Sequence, residues 1–387
     1  MRICIAYDCL FPWTIGGAER WYRNLAERLA AAGHDVTYLT RLQWEPADRP
    51  RIPGVQVIAV SGSDELYGPD GNRAVGPPLR FGWGVLRHLL RHGREYDVVH
   101  MASFPYFSVL AGAAARRRGR YRLVVDWFEV WSSAYWRDYL GGLKGRAGHA
   151  VQRRCARVPQ HAFCFSRLHR ARLLEEGLRS PPTLLAGLYA GDLAPPEPRA
   201  AEALVVFAGR HIAEKRVPAV VRAIARTRAG GLELRGLILG DGPERPLVLA
   251  EIAAQGLEGI VEAPGFVATE VVDDALRRAL CLVNPSSREG YGLVVVEAAA
   301  HGTPAVVVAG PDNAAVELVE PGVNGFVAPS ASAEDLAAAI AAVHDAGMAL
   351  REHTCAWFAE NSGRLSLERS LETVVAAHAA DDSGHPE

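Results

Sequence analysis

Ala194-Pro195-Pro196-Glu197-Pro198-Arg199-Ala200-Ala201-Glu202, followed at once by Leu204-Val205-Val206-Phe207-Ala208, divides the chain in two. The first stretch, rich in proline and charge, reads as a linker, and the second as a buried strand that restarts a pattern. Upstream, short apolar runs at 2–6, 35–40, 55–60, 97–100, 121–125 and 161–165 alternate with helical spacing. One such helical stretch is 17–32, where Trp21, Leu25, Leu29 and Ala32 recur on one face. Downstream, runs at 204–208, 235–239, 260–262, 280–284, 305–308 and 325–327 repeat the plan. This alternation predicts an α/β fold with parallel sheets, used twice. With 387 residues there is room for two cores. The expected layout is a first domain over 1–190, a linker over 191–202 and a second domain over 203–362. A helix over 363–380 then returns to the first domain, and a frayed polar tail occupies 381–387. Two doubly wound, Rossmann-like domains facing each other across a cleft is the simplest architecture.

Composition narrows the class of protein. Hydrophobic residues make up 49% and charged residues 22%, values of an ordinary globular enzyme. A net charge of −2 removes any global argument for nucleic-acid binding. No apolar run approaches a membrane span, and Met1–Asp8 is too short and too soon interrupted for a signal peptide. Cysteines 4, 9, 155, 164, 281 and 355 form no C-x-x-C pair, so isolated thiols in a reducing cytoplasm are expected, without a zinc site.

Ligands of open parallel sheets bind where strands end, so the loops there carry the chemistry. Gly16-Gly17 stands before the first helix. It lets the backbone approach an anion at a helix N-terminus, or it is only a tight turn. Gly209-Arg210-His211-Ile212-Ala213-Glu214-Lys215 follows the strand at 204–208. Its two cations suit a diphosphate whose charge grows as its bond to a sugar breaks; the alternative is a solvated basic loop. Gly240-Asp241-Gly242-Pro243 lacks the third glycine of a dinucleotide fingerprint and reads as a strand-to-helix turn. In Asn284-Pro285-Ser286-Ser287-Arg288-Glu289-Gly290-Tyr291-Gly292-Leu293 a strand ends and a glycine-punctuated loop leads into a helix. Its free N–H groups offer a cradle for phosphate or sugar oxygens. Glu289 is placed to accept sugar hydroxyls. Glu297, about one and a half turns into the helix, is placed to bind a ribose diol, or is an ordinary helix-surface residue.

Taken together, these motifs resemble the retaining family-four glycosyltransferases (glycosyl transferases group 1) of the GT-B fold. The resemblance rests on Gly16-Gly17, Gly209-Arg210 with Lys215, Gly240-Asp241-Gly242-Pro243, and Glu289 with Glu297 seven residues beyond. It implies a nucleotide-diphosphate-sugar donor and an acceptor that is a glycan, a lipid-linked glycan or a small molecule. It also implies front-face transfer with retention, with no cofactor and no metal. Arg210 and Lys215 would hold the diphosphate. Glu289 and the amides of Gly290, Tyr291, Gly292 and Leu293 would hold the sugar and phosphate. Glu297 would hold the ribose, and the backbone at Phe266-Val267 the base. Arg210, Lys215 and Glu289 are the expected catalytic residues.

The chain departs from that family in places. Where relatives carry a histidine followed by aspartate, this chain reads Asp126-Trp127-Phe128-Glu129-Val130-Trp131. Either Phe128 makes the corner apolar and favours a donor lacking a 6-hydroxyl, or Asp126 or Glu129 takes the polar role. The junction motif is altered to Ala186-Gly187-Leu188-Tyr189-Ala190-Gly191-Asp192. The aromatic stretch from Trp127 to Trp136, including Trp131, offers faces to an acceptor or forms a satellite core. His100 either lines the cleft or is a hydrogen-bonded structural histidine. The segment 137–172 holds nine Lys/Arg against Asp138 alone. It is either a peripheral contact with the inner face of a membrane or a solvated basic face. A sugar-nucleotide epimerase or hydrolase of the same fold, and a non-catalytic sugar-nucleotide binder, are the competing readings.

Overall fold

The computed structural model of the protein describes residues 1–14, 16–63 and 76–380. The expected frayed tail, 381–387, lies outside them. By internal contacts the chain forms two compact units, Met1–Leu185 with Ser370–Glu387, and Ala186–Arg369.

The first unit is built on β1 (Arg2–Ala6), β2 (Asp35–Arg41), β3 (Val55–Ser61), β4 (Val98–Ala102), β5 (Arg122–Trp127), β6 (His161–Cys164) and β7 (Thr183–Leu184). These pair in the order β3-β2-β1-β4-β5-β6-β7, all parallel. The strand order reverses between β1 and β4, the doubly wound signature. Ile3, Ile5, Val36, Tyr38, Val98 and Val99 are fully buried, as strands covered on both faces require. The helix Gly17–Ala31 buries Trp21, Tyr22, Leu25, Ala26 and Leu29. Trp21, Leu25 and Leu29 lie on the face the spacing predicts, whereas Ala32, expected with them, is exposed just past the helix end.

A polar cluster stitches this core. Asp126 on β5 is fully buried and accepts from Trp21 Nε1 at 2.7 Å, and its other oxygen lies 2.8 Å from His100 Nε2 on β4. The ring of His378, in the helix Leu367–Ala380, lies 5.2 Å from that of His100. Burial, followed by the neighbouring His100 and Arg122, lowers His378 to about 2, so it is neutral in the fold. Arg122 donates to the carbonyls of Ala377 and His378, occupying acceptors the helix end leaves open.

The second unit holds β8 (Leu204–Ala208), β9 (Arg235–Leu239), β10 (Val261–Gly265), β11 (Cys281–Asn284), β12 (Arg288–Glu289), β13 (Ala305–Val308), β14 (Asp312–Asn313) and β15 (Gly325–Ala328). Six form a parallel sheet in the order β10-β9-β8-β11-β13-β15, and β12 pairs with β14 alone. The strand order reverses between β8 and β11. Val205, Val206, Leu282, Val283, Val306 and Val307 fill the interior.

The partition differs from the expected domains in two places. Residues 186–202 belong to the second unit, because Tyr189 N donates to Leu365 O at 3.0 Å and Leu367 N to Tyr189 O at 2.7 Å. Glu202, at the end of the expected linker, accepts from Arg235 at 2.7 Å and Arg278 at 3.0 Å. The last helix joins the first unit only from Ser370. It is separated at Ser366 from the run Ala333–Leu365, which is itself interrupted at Gly347. The basic segment 137–172 is not one surface helix: it is shared among the helices Ser133–Leu140, Gly142–Ala156 and Arg167–Glu175 and β6. All six cysteines are buried free thiols. Among the described residues no helix is long and apolar enough to cross a membrane.

Removing the Asp126 carboxylate leaves two buried donors unmatched. Asp126→Ala should therefore lower stability in urea by roughly 3 kcal/mol. A loss below about 0.5 kcal/mol would contradict the structural role given to this cluster.

Candidate active site

The clearest concentration of functional groups sits in the second unit, at the carboxyl ends of β8 and β11. These are the neighbouring strands where the sheet order reverses, which is where a doubly wound sheet opens its crevice. After β8, successive residues part company: Arg210 is exposed, His211 is fully buried, and Lys215 ends a single 3-10 turn half-buried. The Arg210 guanidinium has no side-chain partner among the described residues. Lys215 instead reaches across to Glu289 and donates to its Oε1.

Glu289 is buried, at 9% exposure, on the two-residue strand β12. Asn284 Nδ2, at the end of β11, lies 3.0 Å from the same Oε1, and Ser286 Oγ lies 2.8 Å from it. Burial by itself pushes this carboxyl up. The Lys215 charge and the hydrogen bonds from Lys215, Asn284 and Ser286 outweigh it and hold Glu289 below its ordinary value. All three contacts fall on Oε1, and Oε2 has no hydrogen-bond partner among the described residues. The loop is pinned from behind by Asn313, whose Nδ2 donates to Val308 O at 2.8 Å and Ser286 O at 3.2 Å. A second tie joins the two loops, since Ser287 N donates to Glu214 O at 2.8 Å and Arg288 pairs with Glu214 at 3.0 Å.

Gly290 to Leu293 turn the chain into the helix Leu293–Ala300. Gly292 caps it with φ of 99°, and a Cβ there would stand 2.6 Å from that of Ala315, so only glycine fits. In the first turn Val295 N already donates to Gly292 O at 2.9 Å, and the N–H groups of Leu293 and Val294, without such a bond among the described residues, are the ones that can meet an anion. Tyr291 is anchored elsewhere, donating from its hydroxyl to Ala186 O at 2.6 Å, so it can offer the site only its backbone. Leu293, Val294 and Glu297 are the half-exposed positions of the helix, and Glu297 follows Leu293 by one turn on the same side. Gly240 has φ of 115°, and a Cβ would lie 1.9 Å from Gly209 O. The Gly240-Asp241-Gly242-Pro243 turn thus packs the loop after β9 against that after β8. Val267 is half-buried beyond β10, next to Phe266, which is 75% exposed.

The residues expected in the first unit fare differently. Gly16 and Gly17 open the helix Gly17–Ala31, with Gly16 as an N-cap that supplies no side chain; Ile15 lies outside the described residues. His100 and Asp126 are fully buried and paired with each other, with Trp21 also donating to Asp126: His100 is the hydrogen-bonded structural histidine of its two readings, and Asp126 is corrected from an acceptor contact to scaffold. Phe128 stays half-exposed and stacks on Phe165 at 4.5 Å. Glu129 accepts from Trp131 Nε1 at 2.7 Å. Trp131 packs against Trp136 at 4.7 Å and Tyr135 at 4.8 Å. Fully buried Gln152 organises this cluster, accepting from Trp131 N at 3.0 Å, Trp136 Nε1 at 3.1 Å and Tyr106 Oη at 2.9 Å. The aromatic stretch is thus a satellite core with a partly open edge. Neither Gln152 nor the Asn284 and Ser286 contacts were visible in the sequence. A polar residue next to a strand end was the only hint.

Two family models match the chain: the glycosyl transferases group 1 model over 202–345, and the glycosyl transferase 4-like domain over 16–187. This chain belongs to the group 1 glycosyltransferases. A glycogen synthase of Mycobacterium tuberculosis is 26% identical over 375 residues, spanning 89% of this chain and 85% of that protein. Sucrose-phosphate synthase from Thermosynechococcus elongatus superposes with a TM-score of 0.78 at 19% identity, covering 98% of each chain. The Anabaena protein HepE, solved in complex with UDP, gives 0.71 at 18% identity over 98% of this chain and 100% of that one. The fold is the two-domain GT-B architecture of these glycosyltransferases.

Replacing Lys215 by methionine keeps the bulk but strands the buried carboxylate. The variant should lose roughly 3 kcal/mol near neutral pH. In the parent, Glu289 has a lowered value, so its contribution is present above the unfolded value and lost as pH falls through the folded one. Without Lys215 burial dominates and the carboxyl protonates readily, so the gap between parent and variant should shrink on acidification. Urea denaturation at neutral and acidic pH tests this; a gap that does not change with pH would contradict it.

Proposed function

We propose that this glycosyltransferase takes its sugar from a nucleotide-diphosphate donor and passes it to an acceptor hydroxyl with retention, without a metal. The observation that carries the reading is the Lys215–Glu289 contact at the ends of β8 and β11, with one oxygen of Glu289 unmatched among the described residues and Arg210 exposed in the same loop as Lys215. Arg210 and two remaining N–H groups of Lys215 neutralise the diphosphate as its bond to the anomeric carbon breaks. The acceptor oxygen bonds to that carbon from the face the diphosphate leaves, and a departing phosphate oxygen takes its proton. Glu289 Oε2 holds sugar hydroxyls, and its low basicity keeps it an acceptor rather than a proton carrier. The amides of residues 290–293 bind phosphate at the helix start, Glu297 binds the ribose diol, and the backbone at Val267 meets the base. HepE, of the same fold, was solved with UDP, which supports a nucleotide donor.

Catalysis then comes from positioning and charge stabilisation, not from a covalent nucleophile. The acceptor remains a glycan, a lipid-linked glycan or a small molecule; half-exposed Phe128 and Trp131 are the contacts proposed for it in the first unit. An epimerase or hydrolase of this fold would consume the donor with no acceptor present.

Calorimetry against a panel of nucleoside diphosphates and their sugars, with chelator present, tests the reading. One base should bind without metal, at least about ten-fold more weakly in Arg210→Ala and in Glu297→Ala. The panel should include 6-deoxy and 6-hydroxy sugars, which tests the expected preference for a donor lacking the 6-hydroxyl. Absence of binding to every member, or full affinity in Arg210→Ala, would overturn the proposal.

A further inference from the structure

The helix Gly76–His92 carries a face that no described residue covers. Its sequence, Gly76-Pro77-Pro78-Leu79-Arg80-Phe81-Gly82-Trp83-Gly84-Val85-Leu86-Arg87-His88-Leu89-Leu90-Arg91-His92, contains no acidic residue. Phe81, Val85 and Leu89 point inward and are buried. Gly82 and Gly84 let that inner side lie close: a Cβ at Gly82 would stand 2.6 Å from Phe107 Cβ, and one at Gly84 2.1 Å from Val60 O. Trp83, between them, is directed outward and is 66% exposed. Leu79 and Leu90 are 47% and 43% exposed, and Leu86 is half-buried. With Trp83 they sit at spacings of four, three and four residues, an apolar stripe about 60° wide on the outer surface. Beside it, over a similar arc, run exposed Arg80, Arg87 and Arg91, continued by Arg94 in the turn that follows. Arg87 and Arg91 have no acidic partner among the described residues. The helix Tyr106–Gly119 adds exposed Arg117 and Arg118 nearby, with Arg94 Nε donating to Arg118 O at 3.2 Å.

From this we infer that the outer face of Gly76–His92 docks the protein on an anionic lipid bilayer. A Trp-Leu stripe bordered by arginines is suited to lie in the plane of a headgroup region, with the apolar side chains in the acyl boundary and the guanidiniums on phosphates. Charge decides against a second copy of the chain, because a two-fold contact through this face would set arginines against arginines. The expected basic segment 137–172 is a poorer candidate. Its Leu143 is 82% exposed but isolated, Arg172 and Arg157 donate to backbone carbonyls at 2.9 and 3.2 Å, and Arg153 lies 3.9 Å from Glu176. A protein held on a bilayer in this way is brought to acceptors that are themselves lipid-linked. Docking is independent of the transfer chemistry, and its test needs no donor.

Co-sedimentation with vesicles provides that test, using phosphatidylcholine alone and phosphatidylcholine mixed with phosphatidylglycerol in roughly equal amounts. The full chain should pellet with the mixed vesicles at low salt and stay in solution with the neutral ones. Arg87→Gln with Arg91→Gln should weaken partitioning about 25-fold, near five-fold per arginine, and Trp83→Ser about ten-fold. These positions are exposed, and unchanged circular dichroism would confirm that the variants fold. No pelleting with anionic vesicles, or equal pelleting of parent and variants, would overturn the inference. So would sedimentation equilibrium showing a dimer that Trp83→Ser dissociates, or loss of vesicle binding alongside Arg87-dependent retention by an acidic protein.

Discussion

The arrangement of the second unit depends on keeping one carboxylate charged while it is buried. Taking Glu289 out of water would ordinarily neutralise it, and only a close cation with oriented dipoles prevents that. Lys215, Asn284 and Ser286 supply these from two different loops. Satisfying the charge therefore forces the loop after β8 against the loop after β11, and the Glu214 contacts to Ser287 and Arg288 reinforce the closure. The strand order makes this possible, since β8 and β11 are neighbours only because the sheet winds outward from them in both directions. Fold topology and site chemistry are coupled through one ion pair.

A comparison of the two units shows what separates scaffold from function. Asp126 and Glu289 both lie at or just beyond strand ends and both are buried. Asp126 has each oxygen matched, one by Trp21 and one by His100, and it locks a helix to two strands. Glu289 has its partners among the described residues on a single oxygen. The first arrangement has nothing left to offer a ligand. The second leaves one oxygen unmatched among the described residues, and Arg210 stands exposed in the same loop system. Polar satisfaction, not residue type, distinguishes them.

The sequence made the larger plan legible because parallel strands buried on both faces read as unbroken apolar runs. The strands at 204–208, 235–239 and 305–308 match to the residue. The run expected at 260–262 extends to Gly265 because β10 carries a register shift between Glu262 and Gly265, which periodicity does not record. Arg210, Lys215, Glu289 and Glu297 were readable as motif spacing. The groups that orient Glu289 were not, since Asn284 and Ser286 act through contacts only the folded loop creates. The sequence leaves His100 open between a cleft residue and a structural histidine, and offers Asp126 as one of two residues for a polar role, because it does not show Trp21 reaching Asp126 across 105 residues. The outer face of Gly76–His92 was equally hidden, because a Trp-Leu stripe in a sequence looks like core until its exposure is seen.

The central claim is that Glu289 remains ionised while buried because Lys215, Asn284 and Ser286 hold it so. The most direct measurement is a pH titration of the Glu289 side-chain carboxyl by carbon-13 NMR in the unmodified protein, assigned with Glu289→Gln. The account predicts titration below the ordinary glutamate value, moving upward when Ser286 is replaced by alanine. Titration at or above the ordinary value, with no response to that substitution, would contradict it.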